Sequence, residues 1–133
     1  MTPEAGRYLD KARLILEHAH RMLSIDLTED AGRAAYLAGY QAAEALIFER
    51  TGKVTKSHKG AHTEFARLTR NEPLIDAPLR RFLPQAYDLK AICDYELGPD
   101  AVVPYEKAAA AVQTAAHFVD CISSLIAAEG PTP

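Results

Sequence analysis

A stripe of small residues between residues 28 and 50 constrains the fold of this chain more than any other feature. Alanine recurs there every three or four positions, at Ala31, Ala35, Ala38, Ala42 and Ala45. This spacing is the period of an α-helix, and side chains this small allow two helix backbones to approach closely. We therefore expect this segment to be a helix in the middle of a helical bundle.

Four further helices are predicted from three/four apolar spacing, and no strand-like alternation, internal repeat or low-complexity segment is present. The predicted ranges are 3–24, 28–50, 58–70, about 76–97 and 104–129. Thr2, Thr28 and Ser57 are expected as N-caps, and Gly52 as a C-terminal stop. Pro84 is expected either to kink the fourth helix or to move its start later. Because the connections are short, the sequence predicts an all-α, up-and-down four-helix bundle with one additional short helix.

Length and composition describe an ordinary globular domain. The 133 residues are 48% hydrophobic and 25% charged, which favours a single domain over residues 1–133. No charged start followed by an apolar segment opens the chain, and it has no run of about 18 apolar residues. We therefore expect a cytoplasmic protein without a membrane span, in which Cys93 and Cys121 are reduced thiols packed in the core.

Charge is distributed unevenly along the chain. Residues 50–81 contain eight basic and three acidic residues, a net charge of +5, whereas the whole chain carries −3 and the remainder therefore −8. A basic segment on an acidic body can gather anions locally. The alternative is that these charges form a solvated face or a salt-bridged contact between subunits.

Motifs of nucleophilic catalysis are missing from the sequence. It contains no GxSxG, no Cys–His signature and no Gly-rich phosphate loop, and Gly39, inside the second helix, is interpreted as a packing glycine. His58 and His62 have the spacing of two zinc ligands, but no third ligand and no HExxH pattern accompany them. We expect both to be surface histidines and predict no metal or other cofactor.

Two groups of residues have the chemistry of an anion-binding site. The first lies where a loop enters a helix N-terminus, and it contains Lys53, Lys56, His58 and Lys59. Lysines and unpaired helix N–H groups suit a phosphate. The second lies at the end of the fourth helix, and it contains Lys90, Asp94 and Tyr95. Lys90 and Asp94 are four residues apart, so they can pair across one helical turn.

The order of these groups resembles the small standalone HEPN-domain proteins of bacteria and archaea (higher eukaryotes and prokaryotes nucleotide-binding). The resemblance covers about residues 5–128 and rests on four short patterns in order. They are the Tyr/Ala-rich run 35–45 before a Lys-rich loop, His58-Lys59-Gly60 with Phe65, the segment from Lys90 to Asp94-Tyr95, and the Ala-rich helix from Ala108 to Phe118.

The resemblance implies a helical bundle that forms a homodimer, with the site near the dimer cleft and with RNA or a nucleotide as ligand. Many members are metal-independent ribonucleases, often toxins paired with a nucleotidyltransferase antitoxin. Active members carry Arg, four to six spacers and His, whereas here Lys90 stands where the Arg is expected and no His follows it. Lys keeps the charge but loses the planar fork that binds a phosphate through two bonds.

The favoured hypothesis is therefore a nucleotide- or RNA-binding HEPN-domain protein in a toxin–antitoxin-like or regulatory pair, in which the basic bend and the end of the fourth helix form one anion pocket across two subunits. The first alternative is a metal-independent ribonuclease in which His58 is the base and Lys90 or Lys59 the cation. The second alternative is a structural helical dimer without a ligand.

Overall fold

A computed structural model describes residues 1–95 and 102–129 of the chain. These residues form five α-helices and no strand. The helices are α1 (Pro3–Ser24), α2 (Thr28–Thr51), α3 (His58–Leu68), α4 (Ala77–Tyr95) and α5 (Tyr105–Glu129). The all-α prediction is confirmed, while the up-and-down four-helix topology of the HEPN type stays a prediction.

α2 is the central helix of the bundle and contacts each of the other four. The five alanines of its stripe are completely buried, as the sequence predicted, at positions 31, 35, 38, 42 and 45. Large side chains from the surrounding helices fill the space around them, including Leu9 of α1 and Phe118 of α5. Small side chains on α2 therefore let four neighbours pack against one helix.

Three predicted helix ends are confirmed. The Thr2 hydroxyl accepts a hydrogen bond from the N–H of Ala5 at 3.1 Å, and the Ser57 hydroxyl accepts one from Gly60 at 2.9 Å. Gly52 follows α2 with φ of 70°, a left-handed conformation that glycine adopts without a steric penalty.

The predicted cap of α2 is wrong, because Thr28 is already the first helical residue. Leu27 is the N-cap and makes no side-chain hydrogen bond. The tight turn before it explains the shift: Asp26 has φ of 60°, and the N–H of Leu27 donates to the carbonyl of Met22 at 2.8 Å. Backbone hydrogen bonds of this turn therefore position the start of α2, and the threonine hydroxyl does not cap the helix.

α4 begins at Ala77 and continues through Pro84, so the alternative of a later start is wrong. Pro84 lies on the exposed side of the helix. α3 ends at Leu68, two residues before the predicted end. The predicted stops at Gly98-Pro99 and Gly130-Pro131 lie outside the described residues.

Close contact between α2 and α4 depends on Gly39. A Cβ atom at this position would lie 2.2 Å from Cε2 of Phe82, so only glycine fits beneath that ring. The ring of Phe82 is also packed against Phe118, with 5.0 Å between the ring centroids. The interpretation of Gly39 as a packing glycine is confirmed, and this contact sets how closely α4 approaches the polar face of α2.

α5 contributes much of the core. Cys93 on α4 and Cys121 on α5 are half-buried free thiols. Residues Tyr105–Ala128 are the one segment among the described residues that is long and apolar enough to cross a membrane. The core helix of a soluble protein meets the same criteria, so this is weak evidence for a span. Val112 and Ile122 on this helix are completely buried in the bundle.

Candidate functional site

A row of polar side chains runs along the face of α2 that meets α3, α4 and the loop before α3. Its members recur every three or four residues, at Asp30, Arg33, Tyr36, Tyr40 and Glu44. This spacing places them on one face of the helix. With a rise of about 1.5 Å per residue, the row is roughly 21 Å long. Residues from the other segments contact it at three levels.

The middle level is centred on Tyr36, whose side chain is completely buried. Its hydroxyl lies 2.7 Å from Nδ1 of His58 and 2.8 Å from Nε2 of His62, both on α3. A neutral tyrosine hydroxyl has one proton to donate and also accepts. The hydroxyl of Tyr36 can therefore donate its proton to one imidazole and accept an N–H from the other.

Two further rings complete what we call the aromatic cluster, which comprises Tyr36, Tyr40, His58, His62 and Tyr87. The ring of Tyr87 on α4 lies 5.1 Å from Tyr36 and 5.4 Å from His58, and the ring of Tyr40 lies 4.6 Å from His58. Tyr87 is 38% exposed, and Tyr40 and His58 are half-buried. The cluster therefore has a buried hydrogen-bonded centre and an outer edge open to solvent.

Burial favours the uncharged forms of Tyr36, Tyr40 and His62. It raises the pKa of Tyr36, as do the nearby Tyr40, Tyr87 and Glu44, and it also raises the pKa of Tyr40. The pKa of His62 is lowered by burial and, to a smaller extent, by the proximity of His58. These groups therefore act as hydrogen-bonding partners in their neutral forms.

His58 keeps one ring nitrogen free for another partner. Its Nδ1 is bound to Tyr36, but Nε2 makes no hydrogen bond within the described residues. Nε2 is also not fully buried. Among the described residues, Glu44 Oε2 is the only side-chain oxygen or nitrogen that is both fully buried and without a hydrogen-bond partner. The imidazole is thus oriented through Nδ1, while Nε2 has no partner within the described residues.

The level nearer the start of α2 is an ion-pair cluster, which comprises Asp30, Arg33, Lys90 and Asp94. Arg33 donates from Nε to Asp94 Oδ1 at 2.6 Å and from Nη1 to Asp30 at 2.8 Å, and Lys90 pairs with Asp94 Oδ2. Hydrogen bonds from Lys90 and then Arg33 lower the pKa of Asp94. Lys90 lies three residues after Tyr87, and Arg33 three before Tyr36, so the ion-pair cluster is one helical turn from the aromatic cluster.

The level nearer the end of α2 is formed by residues 52–57, which we call the lysine loop. This loop folds back along α2. Thr55 of this loop donates a hydrogen bond to Glu44, which is only 3% exposed. Lys53 and Lys56 line a cavity of about 550 Å³ together with residues of α3, including Arg67. Arg67 is paired with Glu64 on the same helix, so the two lysines supply the uncompensated charge of this cavity.

The structure separates the predicted site residues into these levels. His58 belongs to the aromatic cluster, and Lys90 and Asp94 lie one turn away, on the same side of α2. Lys53 and Lys56 line the cavity, whereas Lys59 is exposed and does not line it, and Tyr95 is 79% exposed at the end of α4. Within one chain, the basic bend and the end of α4 therefore flank the aromatic cluster, and the cavity that Lys53 and Lys56 line does not include Lys90 or Asp94.

Sequence reasoning missed four residues that organise this face: Arg33, Tyr36, Glu44 and Tyr87. The signal that identifies three of them is the three/four spacing of polar residues on an otherwise Ala-rich helix. Arg33 also supplies an arginine next to Asp94 from a different helix, whereas the expected one, four residues before the Asp-Tyr pair, is Lys90.

His58 and His62 converge on a tyrosine hydroxyl and so use the nitrogens on that side for hydrogen bonds. In the described residues, no group of three or more His, Cys, Asp or Glu side chains could hold a metal ion.

Comparison with known proteins leaves the site to be interpreted from its geometry. No protein-family model matches this chain, and no curated protein matches it.

Proposed function

We propose that this protein binds RNA or nucleotides along the polar face of α2, with phosphate at the lysine loop and a base against the aromatic cluster. The observation that carries the proposal is the position of the loop. It returns from the end of α2 to Thr55 beside Glu44, and His58 then lies beside Tyr40. The lysine-lined cavity therefore adjoins half-exposed rings.

Each part of this face suits one part of a nucleotide. Proteins that bind single strands combine basic side chains, which contact phosphates, with aromatic side chains on which bases stack. Lys53 and Lys56 provide the first, and Tyr40, His58 and Tyr87 provide the second. Counterion release makes such binding strongly dependent on salt concentration.

Fluorescence anisotropy with a labelled single-stranded RNA tests this proposal. The double variant Lys53→Gln, Lys56→Gln should bind more weakly by about tenfold at low salt, since two phosphate contacts are lost. Arg21→Gln combined with Lys107→Gln is a matched control, because it removes the same charge from exposed residues of α1 and α5. Equal affinity of the two double variants, or no binding by the wild type, would contradict the proposal.

The proposal includes a HEPN-type protein that acts as a homodimer and in a pair with a nucleotidyltransferase-type partner. The five-helix, all-α bundle and the position of His58, Lys90 and Asp94 along one face of α2 support it. Co-expression with the product of a neighbouring gene that encodes a nucleotidyltransferase, where there is one, followed by size-exclusion chromatography, would test the pair. Separate elution of the two proteins counts against it.

Metal-independent RNA cleavage is the second candidate function, and the orientation of His58 favours it. His58 Nε2 makes no hydrogen bond within the described residues and would take the proton of a ribose 2′-hydroxyl; the resulting oxygen would attack phosphorus, the bond from phosphorus to the 5′-oxygen would break, and the 5′-oxygen would take a proton from water. Lys90 or Lys59 would stabilise the charge of the transition state. With EDTA present, His58→Ala should abolish cleavage and His18→Ala, an exposed change on α1, should not. Cleavage by the His58 variant at the wild-type rate excludes this role.

A further inference from the structure

We propose that Arg33 and Lys90 form a second phosphate-binding position, which Asp94 occupies in the free protein, and that the ligand is therefore an oligonucleotide that spans both positions. This inference rests on the proposed binding of RNA along α2 and names the class of ligand. It assigns a role to Arg33 and gives Asp94 the role of a competing anion.

The geometry around Asp94 is the basis of the proposal. Each oxygen of its carboxylate is held by a different cation, Oδ1 by Nε of Arg33 and Oδ2 by Nζ of Lys90. Two oxygens of a phosphate can take the same pair of charged hydrogen bonds. A phosphate that displaces Asp94 would find both donors in position.

Arg33 is also held in place without Asp94. Its Nη1 donates to Asp30 at 2.8 Å, and its Nη2 donates to the backbone carbonyl of Cys93 at 3.3 Å. These contacts leave Nε directed at the Asp94 position. Solvent reaches the cluster, because the side chains of Arg33, Lys90 and Asp94 are 32%, 20% and 20% exposed. A ligand can therefore approach this position from solvent.

Distance along α2 decides between a mononucleotide and a longer ligand. Arg33 and Glu44, where the lysine loop is attached, are 11 residues apart, which corresponds to about 16 Å of helix. Successive nucleotides of a stacked strand advance by about 3.4 Å along its axis, so roughly five steps along the axis cover this length. One nucleotide cannot reach both positions, whereas a strand that crosses the aromatic cluster can.

Binding to Asp94→Asn tests the proposal. This variant removes the competing charge and keeps the shape of the side chain. We expect it to bind an eight-nucleotide single-stranded RNA about fivefold more tightly than the wild type, a factor typical of one exposed ion pair. The wild type should bind adenosine monophosphate, measured by calorimetry, more weakly than this RNA, because one nucleotide reaches only one of the two phosphate positions. Asp10→Asn, an exposed change on α1 with the same charge difference, is the matched control.

Lys90→Gln is the second variant and should weaken binding of the eight-nucleotide RNA, because one of the two cations of the second position is lost. Circular dichroism of each variant shows whether it is folded. If Asp94→Asn does not fold, the result with Lys90→Gln decides. Octamer affinity that is unchanged in the folded variants, while the wild type binds RNA, overturns this inference alone. Absence of any binding by the wild type overturns the proposed function as well.

Discussion

The hydroxyl of Tyr36 organises the candidate site at the level of single residues. It lies inside the bundle and bonds to two imidazoles, His58 and His62, that belong to another helix. Because the phenol is completely buried, removal of its hydroxyl leaves both nitrogens without this partner. The hydroxyl is therefore the hydrogen-bonding group that orients Nδ1 of His58.

The variant Tyr36→Phe should be less stable than the wild type. It leaves two imidazole nitrogens without their partner, and a loss of this kind costs about 1–3 kcal/mol of unfolding free energy. Urea denaturation followed by circular dichroism measures the difference. Tyr105→Phe is the control, since Tyr105 is exposed at the start of α5. If the two variants unfold at the same urea concentration, the Tyr36 hydroxyl does not stabilise the fold.

Asp94 should make stability depend on pH. Its pKa is lowered in the folded protein by Lys90 and Arg33, so ionisation of this carboxyl favours the folded state. The stabilisation is complete above the unfolded pKa of about 4 and is lost as the pH falls through the lower, folded pKa. The difference in unfolding free energy between the wild type and Asp94→Asn should therefore be present at pH 7 and vanish in acid. A difference of equal size at pH 7 and pH 2.5 would contradict this assignment.

At the level of elements, the approach of α4 to α2 holds the site together. Tyr87, Lys90 and Asp94 reach the polar row because α4 packs closely on α2, most tightly at Gly39. The ring of Phe82 occupies the space above that glycine and is backed by Phe118. A larger residue at position 39 must therefore push α4 outward together with the residues that it contributes.

Gly39→Ala should destabilise the protein by about 1–3 kcal/mol, because the added methyl group overpacks the contact with Phe82. Gly6→Ala should have the opposite effect. Its Cβ would lie 3.8 Å from Met1 Sδ, an ordinary contact, so the higher helix propensity of alanine should raise the free energy of unfolding by as much as about 1 kcal/mol. Thermal unfolding of both variants measures these shifts. Equal melting temperatures would show that Phe82 moves aside without cost.

For the whole molecule, the uneven charge predicts how binding responds to salt. Residues 50–81 carry a net charge of +5 on a chain with a total of −3. For single strands, each phosphate neutralised adds about 0.7 to the slope of log affinity against log salt. Lys56→Gln should therefore reduce the magnitude of this slope by about 0.7, and Lys107→Gln should leave it unchanged. Slopes that are identical in the two variants would remove Lys56 from the phosphate contacts.

The proposed homodimer predicts the mass of the particle in solution. Sedimentation velocity should give twice the 14.5 kDa mass of one chain. A single species at 14.5 kDa across the micromolar range contradicts the dimer, but leaves the face along α2 intact, because its residues come from one chain.

Local patterns were sufficient to predict most of the helices and several of their ends. The partners are within a few residues for the caps Thr2 and Ser57, the stop at Gly52 and the pair Lys90–Asp94. The stripe of alanines follows from helical spacing alone. Interactions of this range are specified by backbone hydrogen bonds and helical spacing, which the order of residues already contains. The turn before α2 was the exception, because backbone contacts, which leave no clear signal in the residues, made the cap at Thr28 unnecessary.

Tertiary packing decided which chemistry-bearing side chains meet. Tyr36 and His58 are 22 residues apart, and Arg33 and Asp94 are 61 residues apart. Whether such pairs touch depends on the distance between packed helices and on the rotation of each helix about its axis. Here the close approach of α4 to α2 depends on Gly39, which lies beneath Phe82. The sequence by itself determined an all-helical chain with a basic segment and an alanine-lined central helix. The structure alone placed a buried tyrosine between two histidines and an arginine beside Asp94, because those contacts arise from the packing of distant segments.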